Sequence, residues 1–141
     1  MKHRLADLLD VPALQSLLDS LYASSKIPSA IIDNEGKVLA GSGWQDACTK
    51  FHRVHPDVEK LCVESDRRAV ERIDEARPAV PYTCPQGLTD SATPLVVGGA
   101  HVANVFTGQL FLAPPDIGFF RSQAGRYGWD EIGRASCRER V

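Results

Sequence analysis

The chain has 141 residues, of which 43% are hydrophobic and 24% charged, and its formal net charge is −2. This is one domain's worth of an ordinary globular protein, able to bury roughly two-thirds of its unfolded surface. The near-neutral charge gives no reason to expect nucleic acid or an anionic membrane as partner, and no apolar run approaches the ~18 residues of a transmembrane helix.

The N-terminus, MKHRLADLLD, carries basic residues but no signal-peptide apolar stretch, so a cytoplasmic location is expected. Thiols stay reduced in that compartment, and the cysteines are therefore read as buried, metal-bound or reactive rather than disulfide-paired. The first predicted element is a helix. Asp10 is its N-cap and Pro12 sits in its first turn, where no backbone donor is needed. Leu14, Leu17, Leu18 and Leu21 follow at helical spacing and should be buried. Pro28 lies just beyond its end. SAIIDNEGKVLAG then places two apolar runs around Asp33–Gly36, which predicts a β-hairpin over 29–33 and 37–41.

A short helix is expected over 46–54 and a longer one over 57–76, with Val58, Leu61, Cys62, Ala69 and Ile73 on its apolar face. A strand follows at 80–84. SATPLVVGG and HVANVFTGQLFLA predict a second, longer hairpin joined around Gly98–Gly99. A helix from about 116 to 127 comes last, with Phe119, Phe120 and Ala124 facing inward. The order α-ββ-αα-βββ-α indicates an α+β domain with one antiparallel sheet. The middle helices can close over one face and leave a space for a small ligand. Residues 1–130 form this domain. Residues 131–141 look like translated vector or adapter sequence, and Cys137 goes with them.

Four stretches carry a family resemblance: GWQDACTKFHRVHP, CVESD, YTCPQGL and HVANVFTGQLF. In this order and spacing they resemble the PocR sensory domains, PAS-like ligand-binding modules of prokaryotic signalling proteins, over about residues 7–128. The resemblance implies a PAS-like single domain, a non-enzymatic role, and a small organic ligand such as a simple hydrocarbon derivative. It also implies a fused output such as a histidine kinase of a two-component system. No such output follows in this sequence, which reads as an excised sensor.

The remaining question is what Cys48, His52, Cys62 and Cys84 do. Cys48 and His52, four apart, share a face on an α-helix. With Cys62 and Cys84 they make a Cys3His pattern that zinc would accept, and iron also, although the Cys-x2-Cys pairs of strong zinc motifs are absent. The same thiols could instead line an organic pocket with Trp44, Phe51, His52 and Gln109, or be small buried hydrophobes. Oxidation of two of them would make a redox sensor. A Cys48 nucleophile with His52 as base would need an orienting group, and Asp46 and Asp90 are both available. Gly108 permits close approach within a strand, and Gln109 beside it offers both a donor and an acceptor. His55 ends the short helix, His101 is a solvated turn residue, and SDRRAVER is a solvated helix face. Two expectations follow. The sulfurs of Cys48, Cys62 and Cys84 should meet at one cavity beside Trp44 and Phe51, and the apolar first helix should make a homodimer.

Overall fold

The computed structural model describes residues 4–129. The suspected tail at 131–141, with Cys137, lies outside the described residues. The elements are α1 (Leu5–Leu8), α2 (Val11–Ser25), β1 (Ser29–Asp33), β2 (Val38–Ser42), a π-helical turn (Ala47–His52), α3 (Pro56–Glu71), β3 (Val80–Thr83), β4 (Thr89–Val97), β5 (Ala100–Leu110) and α4 (Ile117–Tyr127).

The strands form one antiparallel sheet in the order β2-β1-β5-β4-β3, a PAS-like α+β arrangement. The β4–β5 hairpin turns at Gly98–Gly99, both with positive φ, and the β1–β2 hairpin turns through Asp33–Gly36. In the latter, Asp33 Oδ1 accepts from the N–H groups of Glu35 and Lys37. Asp10 and Asp116 cap α2 and α4 by accepting from Ala13 and Phe119. These local signals are why the elements lie close to where the sequence places them.

β1, paired between β2 and β5, is the most fully buried strand, and its side chains alternate between faces. Ile31 packs with Leu5, Leu18, Ala40 and Ala103 on one side. Ala30 and Ile32 pack with Ala69, Ala92 and Phe106 on the other. The expectation of helices over one face holds for α3. Because β1 is apolar on both sides, α1 and α2 lie against the opposite face.

Two details of burial correct the sequence reading. Leu18 is buried and Leu14 partly so, but Leu17 is 61% exposed and Leu21 45%. The contact line of α2 runs instead through Leu14, Gln15, Leu18 and Tyr22. Gln15 exchanges two hydrogen bonds with the backbone of Gly41 on the edge strand β2, at 2.8 and 3.0 Å. The Tyr22 ring lies against Gly43, where a Cβ would meet it at 2.2 Å. α3 likewise buries Val58, Cys62, Asp66 and Ala69, while Leu61 is 45% exposed. It also ends earlier than expected, at Glu71. On α4, Phe120 and Ala124 are buried and Phe119 is exposed.

Candidate functional site

Between α3 and the sheet lies a cavity of about 410 Å³. Its apolar walls are Ile32 of β1, Val63 and Val70 of α3, and Phe106 of β5. Asn104 and His101 of β5 and Asn34 of the β1–β2 turn line its polar end. There His101 Nε2 lies 2.8 Å from Asn104 Oδ1, and Asn104 donates to Asn34 at 3.2 Å. His101 is thus exposed but belongs to a strand and a hydrogen-bond network. A smaller space of about 20 Å³ shares Ile32, Asp66 and Phe106 with the cavity and is further lined by Trp44, Arg53, Tyr82, Asp90, Gly108 and Gln109.

The polar centre of this region is Asp66. It accepts from Arg53 Nη2 at 2.5 Å and from the Tyr82 hydroxyl at 2.7 Å. The Arg53 guanidinium stands 4.8 Å from the centre of the Trp44 ring, a cation–π arrangement. Asp90 faces the same space from β4. Burial, and then the neighbouring Asp66, push its carboxyl up to about 6, against the Gln109 N–H and the Arg53 charge. Burial pushes the Tyr82 hydroxyl up as well, with Asp66 adding to it.

The short helix that carries CTKFH is π-helical, and this rearranges its side chains. In an α-helix Cys48 and His52 would stack. In a π-helix the repeat is i→i+5, and the Arg53 N–H donates to the Cys48 carbonyl at 2.9 Å. Arg53 therefore takes the place beside Cys48 that spacing had given to His52. His52, 2% exposed, turns toward α4: its Nε2 lies 3.4 Å from Gln123 Oε1 and its ring 5.4 Å from that of Trp129. Burial lowers its pKa to about 4. Phe51 turns the same way, edge-on to Trp129 at 5.8 Å. His55 is the N-cap residue of α3 and packs on Tyr127.

Cys48, Cys62 and Cys84 are free thiols within electrostatic reach of one another and of Asp90. Burial raises all three, Cys48 most and Cys62 to about 11, so they are neutral thiols, poor as nucleophiles. None of the three lines the cavity or the smaller space. Among the described residues no three His, Cys, Asp or Glu side chains form a group that could hold a metal ion. The Cys3His zinc or iron set is thus not assembled, with His52 facing α4. Of the expected pocket residues, Trp44 and Gln109 line the smaller space, the cysteines line neither space, and Phe51 and His52 belong to the α4 contact.

Sequence reasoning missed Arg53, Asp66 and Tyr82. Asp66 lies within SDRRAVER, read as a solvated face, yet it continues the Val58–Cys62 spacing of four. An acidic residue in an apolar stripe was the available signal. Arg67 and Arg68 of that run are indeed exposed, paired with Glu64.

Among the described residues no helix is long and apolar enough to cross a membrane. A family model described as the sensory domain found in PocR matches residues 7–138. No curated protein and no solved structure matches the chain.

Proposed function

The chain belongs to the family of PocR sensory domains, and on that premise we propose that it is a non-enzymatic sensor that holds a small organic molecule between α3 and the sheet. The observation that carries this reading is the 410 Å³ cavity, walled by Ile32, Val63, Val70 and Phe106, with Asp66 of the Arg53–Asp66–Tyr82 network, Arg67 and Glu71 also in its lining. A pocket with apolar walls edged by polar and charged side chains suits a small molecule with an apolar body and one or two polar atoms. A simple hydrocarbon derivative has that character. The neutral thiols favour binding over covalent chemistry.

The domain works in the cytoplasm, on this reading, and passes occupancy to a fused output such as a histidine kinase. It does so as a homodimer through α2, whose exposed Leu17 and Leu21 supply the apolar surface.

Titration with short-chain alcohols, diols, aldehydes and acids, followed by tryptophan fluorescence, tests the cavity. At least one compound class should bind the parent and fail to bind Val70→Phe, which fills the cavity. Equal binding by both proteins, or by neither, would remove the reading.

A further inference from the structure

We propose that Gln109, which lines the smaller space beside the cavity, is the latch that couples this space to the docking of α4; this rests on the cavity and the space beside it being the sensor site. Three observations meet at this residue. Gln109 has φ +59°, and Gly108 before it has φ +148°. A Cβ on Gly108 would lie 2.5–2.6 Å from atoms of Thr89 and Asp90. A non-glycine residue in the left-handed region is held there only when its surroundings over-determine it. Here they do: the Gln109 N–H donates to Asp90 Oδ1, and Gln109 Oε1 accepts from the Gln45 N–H at 2.6 Å.

Gln45 is the residue from which the π-helical turn begins, its carbonyl accepting from the N–H groups of Cys48 and Thr49. The far side of that turn carries His52, which meets Gln123 of α4, and Gln123 donates to Gln86. α4 is also held by a small apolar cluster of Phe120 with Ala47 and Phe111, and by Tyr127 against His55. Ala47 is itself on the π-helical turn. An element held by so few buried groups is one that opens locally, well below the free energy of global unfolding. A molecule that reaches from the cavity into the smaller space and displaces Asp90 or Gln109 moves the turn, and the turn carries His52 and Ala47 of the α4 seat.

Hydrogen exchange of the ligand-free full chain tests the latch without reference to any ligand. Gln109→Gly keeps the positive φ accessible and deletes the buried side chain that accepts from the Gln45 N–H, leaving the longer bond from Gln45 Nε2 to the backbone carbonyl at 3.4 Å. We expect the α4 amides to exchange about tenfold faster, a change typical of losing one or two weak contacts, with the α2 amides unchanged. Gln123→Leu, cut at the other end, should do the same, and adding Gln109→Gly to it should give less than the product of the two effects. Unchanged α4 exchange, equal acceleration in α2, or fully multiplicative effects would overturn the proposal. The cavity as a binding site would survive any of these results.

Discussion

The two faces of the sheet share five strands and differ in what covers them. Against α1 and α2 the contacts are those of a dry core, Leu5, Leu18, Ile31 and Ala103, with one polar clasp from Gln15 to the edge strand. Against α3 the same strands present Asn104, Asp90 and Tyr82 beside Ile32 and Phe106, and the cover includes Asp66, Arg53 and the thiols of Cys48 and Cys62. Buried charge, a π-helical turn, a left-handed glutamine and the 410 Å³ cavity all fall on or beside this second face, while a space of about 570 Å³ lined by Leu5, Leu39 and Val102 lies beside the first. The first face is built for stability. The second carries polar groups that a stability-only design would replace with apolar ones.

The strongest way to break that comparison is to remove one member of the buried ion pair. Asp66→Ala leaves Arg53 uncompensated and the Tyr82 hydroxyl without its acceptor. It should cost about 4 kcal/mol in urea unfolding, whereas replacing Arg53 and Asp66 together by apolar residues should cost far less. On the dry face, Leu18→Ala should cost about 3 kcal/mol and leave cavity binding intact in whatever fraction stays folded.

Acid offers a subtler contrast. His52 has a folded pKa near 4 against an ordinary 6.5, so its contribution is present above pH 6.5 and lost as pH falls through 4. Asp90 has the opposite sign, near 6 against 3.8. Its contribution is present below 3.8 and lost as pH rises through 6. Each shift is worth about 3 kcal/mol, so the two nearly offset between pH 6.5 and 4. Unfolding of the parent should therefore respond weakly to pH in this window. Asp90→Asn should lose stability on acidification, and His52→Gln should gain it. If both variants follow the parent, neither group titrates as the geometry implies.

The smallest effect is expected on the outside of α2. Leu17→Lys with Leu21→Lys should alter monomer stability by less than about 0.5 kcal/mol per site. It should shift a dimer to monomer in sedimentation if α2 is the interface.

Much of the fold was legible because local chemistry marks it. Asp10 with Pro12, Asp33 to Gly36, Gly98–Gly99 and Asp116 fix where elements start and turn, independently of the rest of the chain. Burial was less legible. An apolar stripe says that a helix has a buried side, but the neighbouring strand decides which residues touch, and β2 selects Gln15 and Tyr22 over Leu17 and Leu21. The site was legible as a region and not as a geometry. Cys48, Cys62, Cys84, Trp44 and Gln109 do fall around the second face. The partner of Cys48 was misjudged because a π-helical turn differs from an α-helical one only in its i→i+5 hydrogen bond, which no residue spacing announces. Asp66 was hidden because its neighbours Arg67 and Arg68 are the solvated charges that the run suggests.

On the proposed reading the α3 face, and not the α2 face, receives a small molecule. Backbone and side-chain NMR shifts of the full chain, recorded while titrating the alcohol, diol, aldehyde and acid panel, test it most directly. Saturable shifts should centre on Ile32, Val63, Val70, Asn104 and Phe106, extend to Gln109 and leave Leu5, Leu18 and Leu39 unmoved. Shifts centred on Leu5, Leu18 and Leu39, or none with any compound class, would contradict it.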